Sequence, residues 1–440
     1  MKKFLVLILA VALALPLMAC NGDFDETTPS ESEITTKADE SMLETEGNSQ
    51  KETEGNSQEE TESNTQKETE SNTQKETEDT TEESVETDNK ENSDMVYPEN
   101  GAKIVLANDE VYGWWDTYNY KRTDSTPFYR HEDIYYPNSL TFEWEADDSA
   151  DYYRLFLSTD KDFATDATES YLVNDTSLTL SHLFTGTKYY WQVIATKITD
   201  GGNGEKNWNA VYPTSFTTAQ SPRCLEIEGV SNTRDIGGLD AVDGYRIKQG
   251  MIYRGGKLEG ITDEGRAFFR DYIGITTDLD LRTPGEGGAG SVSPLGEDIN
   301  YVNLDGRYYV GSKGISTDEG KALFAQEIRL FADPDNYPIY IHCSLGRDRT
   351  GTLAFVIEAL LGVNFNDLMM DYELSVFSVT GTLDNASVQA IRNNIKATYD
   401  YINTFNGANF AERTEMYLLS IGITPAEIQS IKDILLEEVK

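Results

Sequence analysis

The sequence predicts a multidomain chain of three parts: a disordered tether, an all-β sandwich and an α/β domain. Three observations carry this. From Asn21 to about Asp94 the chain is rich in Glu, Thr, Ser, Asn and Gln. Between Val96 and about Gln220, short apolar runs alternate with polar residues at period two. After Pro222, strand-like apolar runs alternate with helical patterns. The boundaries follow as residues 1–19 for a leader, 20–95 for the tether, 96–221 for the sandwich and 222–440 for the α/β domain.

Composition bounds the chemistry. The 440 residues include 77 acidic and 36 basic side chains, a net charge of −41. About half of this excess lies between Asn21 and Met95, and the rest follows Val96. Nucleic acid is excluded as an expected partner, because binding it needs a cationic face that releases counterions. Three cysteines, Cys20, Cys224 and Cys343, cannot build a disulfide framework or a Cys-rich zinc site. Three histidines, His131, His182 and His342, do not suit a multi-His metal centre. No metal and no cofactor is expected.

The N-terminus reads as an address. Lys2 and Lys3 precede an apolar run from Phe4 to Leu17 that contains Pro16 and is short for a membrane span. It ends Leu17-Met18-Ala19-Cys20, which resembles the bacterial lipobox. That resemblance implies cleavage before Cys20, a lipid on its sulfur, and an extracytoplasmic or cell-surface protein anchored to a bacterial membrane. An octad then recurs, Lys51 to Gln58, with copies starting at Glu59, Lys67 and Lys75. With no apolar position it builds no coiled-coil seam and cannot offset the entropy of ordering. The segment is expected to be a solvated tether spanning on the order of 50 Å.

In the sandwich, Leu140, Phe142 and Trp144 alternate with Thr141 and Glu143, and Tyr153, Leu155 and Leu157 with Arg154 and Phe156. Leu178 and Leu180 precede Leu183, and Tyr189, Trp191, Val193 and Ala195 alternate again. A Trp on an early strand and a Tyr opening a late one resemble a fibronectin type III domain, here with an insertion from about Gly113 to Tyr136. The insertion's aromatics, Trp114, Trp115, Tyr118 and Tyr120, are expected to pack against their own loop or the neighbouring domain, and binding of a carbohydrate or protein is the alternative.

In the third part, helical patterns at Asp263 to Tyr272 and Thr317 to Phe331 alternate with strand-like runs at Thr276 to Leu281, Asn300 to Leu304 and Pro338 to His342. Four or five helices close the chain. Ser316 with Glu319, and Thr424 with Glu427, are read as capping boxes.

The informative segment runs Ile339-Tyr-Ile-His-Cys-Ser-Leu-Gly-Arg-Asp-Arg-Thr-Gly-Thr352. An apolar strand enters His342-Cys343. Gly346 supplies a permissive backbone in mid-loop. Arg349-Thr350-Gly351 opens an apolar helix. A strand, a short loop and a helix N-terminus make a nest of inward N–H groups that suits a phosphate. Ser344, Leu345, Gly346, Arg347, Asp348 and Arg349 would line it. The same dipoles should favour a Cys343 thiolate. Arg349 can fork two phosphoryl oxygens.

This segment resembles the loop of the cysteine-dependent protein tyrosine phosphatase superfamily, and more narrowly its bacterial branch with His-Cys-x-x-Gly-Lys-Asp-Arg-Thr-Gly. Asn232-Thr-Arg-Asp-Ile-Gly-Gly238, Tyr253-Arg254-Gly255-Gly256, and Asp280-Leu281-Arg282-Thr283 with Glu286 resemble that branch's other motifs, and Arg347 replaces its usual Lys. The resemblance covers about Arg223 to Lys440. It implies a central mixed sheet flanked by helices and a metal-independent phosphomonoester hydrolase. Cys343 would attack phosphorus, Arg349 stabilise the transferred group, and Thr350 ease departure of the thiolate. His342 is expected to orient the Cys343 backbone. Two general acids stay open: Asp348 inside the loop, and Asp305 after a strand, where other superfamily members carry a mobile-loop Asp. Asp235 and Asp280 are expected to pair with arginines such as Arg234, Arg254 or Arg282. The substrate would be a phosphorylated protein or lipid. An inositol polyphosphate or phosphoinositide phosphatase is the alternative enzyme, and a surface binding protein with an inactive phosphatase domain is the alternative outside enzymes.

Overall fold

A computed structural model describes residues 95–120, 135–199, 204–208, 214–307, 309–311, 314–378 and 385–439. The leader, Cys20 and the tether lie outside the described residues. The described residues cluster as one compact unit.

The described residues of its first part form nine strands, β1 (Met95–Tyr97), β2 (Ala102–Ile104), β3 (Leu140–Trp144), β4 (Tyr152–Ser158), β5 (Thr168–Val173), β6 (Ser177–Leu180), β7 (Lys188–Thr199), β8 (Gly204–Trp208) and β9 (Thr214–Thr218). They form a β1-β3-β6 sheet and a β2-β9-β7-β4-β5 sheet, with β8 paired to β7. Every second side chain turns inward, so Phe142, Leu155, Trp191 and Phe216 are buried in one shared cluster. Phe142 meets Trp191 edge-on, 5.0 Å between ring centroids. A helix, α1 (Asp109–Asp116), leads into the insertion and is capped by the Asn108 side chain on the Glu110 N–H.

The second part adds β10 (Arg223–Cys224), β11 (Arg234–Asp235), β12 (Tyr245–Ile247), β13 (Ile252–Gly255), α2 (Asp263–Ala267), β14 (Thr277–Asp280), β15 (Asn300–Asn303), α3 (Asp318–Arg329) and β16 (Ile339–His342). Five helices follow, α4 (Asp348–Leu361), α5 (Phe365–Ser378), α6 (Asn385–Ile402), α7 (Phe410–Ser420) and α8 (Pro425–Leu435), then β17 (Leu436–Glu438). The sheet order is β10-β11-β13-β16-β14-β15. The β13–β16, β16–β14 and β14–β15 pairs are parallel, whereas β10–β11 and β11–β13 are antiparallel. It is a mixed α/β sheet, and β16 is central. A strand buried on both faces is largely apolar, and Ile339, Tyr340 and Ile341 are fully buried. From Thr350 to Leu361, α4 is buried as well. The chain leaving β16 therefore turns into a helix fixed on every side.

One local expectation needs correction. Ser316 does not cap α3. Thr317 does, accepting from the Gly320 N–H, while Glu319 pairs with Arg307. The helical pattern from Asp263 to Tyr272 is present as α2 followed by a π-helix over Phe268–Ile273. Asp235 pairs with an arginine as expected, here Arg223. Asp280 pairs with Arg282, and the Thr424–Glu427 capping box is present.

Candidate active site

The loop from Cys343 to Arg347 joins β16 to α4. Its shape follows from where its carbonyls go. Cys343 O faces His342 Nδ1 at 3.3 Å. The Lys257 N–H lies 3.4 Å from Ser344 O. Asn232 Nδ2 donates to Leu345 O at 2.9 Å, and Arg254 Nη2 donates to Gly346 O at 2.8 Å. In a planar trans peptide the N–H points opposite to the C=O. Holding these carbonyls on the outside turns the N–H groups of Ser344, Leu345, Gly346 and Arg347 to the inside. The first-turn N–H groups of α4 have no intrahelical partner and carry the positive end of its dipole. Together they form an anion cradle with Cys343 at its mouth.

Gly346 makes the turn possible. Its φ is +68°, and a Cβ there would lie 2.2 Å from Gly255 O. Both facts exclude a side chain. Gly255 is constrained in turn by Tyr340, whose hydroxyl would be 2.3 Å from an added Cβ.

Burial alone would raise the Cys343 thiol. The Thr350 hydroxyl, the Arg349 charge and the N–H groups of Thr350 and Leu345 outweigh it and hold the thiol below its ordinary range. Thr350 is itself fully buried. Cys224 shows the opposite case. Burial pushes its thiol up to about 12.

Arg349 lies on Glu286, Nη1 to Oε2 at 2.7 Å and Nη2 to Oε1 at 2.6 Å. Ser344 Oγ donates to the same carboxylate at 2.9 Å. These bonds, Arg349 first, pull the Glu286 carboxyl down to about 2. His342 is fully buried, with Nε2 2.9 Å from Asp278 Oδ1 and Nδ1 3.9 Å from Asp280 Oδ1. Its ring faces carboxylates and the Cys343 carbonyl.

The two candidate acids have different surroundings. Asp348 begins α4 and receives the hydroxyls of Tyr309 and Tyr372 and the Arg347 guanidinium, Nε to Oδ1 at 3.0 Å. Asp305 receives Thr283 Oγ1 at 2.8 Å and Arg307 Nη2 at 3.3 Å. Leu345 stands at the rim, 39% exposed. Sequence reasoning missed Asn232, Arg254, Glu286 and Tyr309 as site residues. The first three sit inside quoted motifs, which was the available signal, whereas Tyr309 and Asp371 have none.

Residues 225–437 match the sequence model of the tyrosine phosphatase family. A curated protein of Cupriavidus necator, named as a tyrosine-protein phosphatase, is 27% identical, the match covering 37% of this chain and 68% of that protein. A protein of Dictyostelium discoideum with the same kind of name is 38% identical over 45 residues, 10% of this chain and 27% of its own. Among solved structures, the core catalytic domain of the PP-IP phosphatase SIW14 from S. cerevisiae is 18% identical and covers 38% of this chain and 96% of its own. Its TM-score is 0.22. The chain carries a tyrosine phosphatase family domain. It is a phosphatase.

Proposed function

We propose that the chain is a metal-independent protein-tyrosine phosphatase acting through a cysteinyl-phosphate, of the bacterial branch whose loop it resembles. The observation that carries this is the Cys343 thiol, held below its ordinary range at the mouth of a loop whose carbonyls are tied outward. The Cys343 thiolate attacks phosphorus in line. The P–O bond breaks, and Asp348 gives its proton to the departing phenolate. Loop N–H groups and Arg349 hold the equatorial oxygens. Water then attacks the cysteinyl-phosphate, Asp348 takes up its proton, and Thr350 eases departure of the thiolate. Both steps balance with no metal.

The other parts take their place around this domain. Residues 1–19 are a leader, Cys20 is lipidated, residues 20–95 are a tether, and residues 96–221 are a fibronectin type III-like domain. The catalytic domain, 222–440, then stands off a bacterial membrane. Intact-mass analysis of the native protein tests the anchor, and an unmodified N-terminus would remove it.

A panel of phosphotyrosine peptide, phosphoserine peptide and inositol phosphates, each with and without EDTA, tests the activity. Phosphotyrosine turnover insensitive to EDTA is expected. Faster turnover of inositol phosphates would move the assignment to the alternative enzyme class, and no turnover of any substrate would favour a binding protein.

A further inference from the structure

Behind the loop is a set of buried groups that the mechanism above does not use. Asn232, which holds Leu345 O, is fully buried with φ +58°, a backbone state an Asn tolerates better than most residues. Its Oδ1 accepts from Arg234 Nη1 at 2.7 Å. Arg234 Nε donates to Asp371 Oδ1 at 2.8 Å, and the other oxygen of Asp371 takes Arg254, which holds Gly346 O. Both loop tethers thus converge on one carboxylate from α5.

The outermost member of this set comes from elsewhere in the chain. Tyr135 belongs to the insertion of the N-terminal β part, yet it is 1% exposed and shares the core cluster of the catalytic domain with Val111. Its hydroxyl donates to Thr233 O at 3.2 Å and accepts from Arg234 Nη1 at 3.4 Å. It therefore bonds to the two residues that follow Asn232 in sequence. The same insertion is fastened nearby, with Trp114 edge-on to Phe377 at 5.1 Å and Tyr120 edge-on to Phe365 at 4.9 Å. Phe365, Asp371 and Phe377 all lie on α5.

We infer that Tyr135 is a positioning residue for the phosphate-binding loop, steadying Arg234 and through it Asn232 and the Leu345 carbonyl. The N-terminal β part is then a component of the catalytic unit, and the site is finished by a side chain from outside the phosphatase family match at residues 225–437. This rests on the phosphatase assignment but concerns anion binding, which is measurable without turnover.

The test uses the full chain and vanadate as the probe, with its dissociation constant measured by calorimetry and thermal unfolding followed beside it. Tyr135→Phe keeps the ring and removes the hydroxyl with its bonds to Thr233 O and Arg234 Nη1, so it should weaken vanadate binding by about three- to tenfold, the scale of a buried hydrogen bond. Asn232→Gly, which accepts the positive φ, should weaken it further. The double variant should be no weaker than Asn232→Gly alone, because both changes cut one chain of contacts. Thr185→Val, elsewhere in the contact between the two parts, removes a hydroxyl that donates to Ser221 O at 2.9 Å and lies 3.4 Å from Gln249 Oε1, and should lower thermal stability and leave vanadate affinity unchanged. Wild-type affinity in Tyr135→Phe or in Asn232→Gly, or additive losses in the double variant, would overturn the inference. A wild-type protein that binds vanadate but hydrolyses no phosphomonoester would instead overturn the phosphatase assignment.

Discussion

Arg349 and Glu286 meet fork to fork, with both guanidinium Nη atoms within 2.7 Å of a carboxylate oxygen. The pair fixes the arginine's plane before any substrate arrives, which removes ordering cost from the bound state. Glu286→Gln keeps the shape and loses the charge. It should lower kcat/KM on para-nitrophenyl phosphate by about tenfold to a hundredfold, with little change in thermal stability, since the carboxylate is partly exposed. The carboxyl is depressed to about 2. Any stability from the pair is therefore present above the ordinary Glu range and lost as pH falls through it toward 2.

The two thiols of the described residues should react in opposite ways. Cys343 is held below its ordinary range and Cys224 is pushed up to about 12. Iodoacetate should inactivate the native enzyme with a half-maximal rate at a pH below the roughly 8.5 of a free thiol. Mass spectrometry should find label on Cys343 and none on Cys224 until the protein is denatured. Thr350→Ala should shift the inactivation profile to higher pH. Cys343→Ser should abolish turnover while retaining vanadate binding, because the N–H groups remain. Residual turnover in that variant would remove the cysteinyl-phosphate from the mechanism.

The loop was legible because its determinants are contiguous. Strand, nucleophile, permissive glycine and helix start all fall within Ile339 to Thr352, and local geometry alone brings them together. The Thr424–Glu427 capping box was legible for the same reason. Residues that act across the sheet were not. Asp371 is an ordinary acidic residue on a helix until tertiary packing sets it between Arg234 and Arg254. Pairing of Asp235 with Arg223 required knowing that β10 lies beside β11, a register no short window encodes. Ser316 and Thr317 offer the same capping chemistry one residue apart, and Ser316 Oγ instead accepts from the Gly311 N–H. The insertion's aromatics were expected to pack rather than bind, and Trp114 and Tyr120 do pack on α5.

His342 should make stability fall with rising pH. Burial alone would lower its pKa, but Asp278 above all, and Asp280, outweigh burial and raise it. A group whose folded pKa lies above its unfolded value of about 6.5 contributes fully below that value. The contribution disappears as pH rises through the raised folded pKa. Asp278→Asn removes the nearer carboxylate and should cost on the order of 3 kcal/mol below pH 6.5, the range for breaking a buried ion pair. The difference from wild type should shrink as pH rises. Denaturant unfolding across this range checks it, and a difference that stays constant would show that Asp278 acts by packing alone.

The identity of the general acid is tested by the leaving group. Removing an acid slows substrates whose leaving group needs a proton and spares those that do not. A phenol with a pKa of about 10 needs one badly, and a nitrophenol needs it much less. Asp348 begins the helix that closes the loop and lies under the Tyr309 and Tyr372 hydroxyls, so it can serve without movement of a lid. Asp305 is tied to Thr283 and Arg307 and would have to leave both partners. Asp348→Asn should therefore cut phosphotyrosine turnover by roughly 10²–10⁴-fold and nitrophenyl phosphate turnover by much less. Asp305→Asn should slow both substrates equally, if at all. Leaving-group dependence in Asp305→Asn, with only weaker phosphate binding in Asp348→Asn, would reverse the assignment. Asp348 would then be a structural member of the loop, and the segment after β15 would have to close over Cys343 in each turnover.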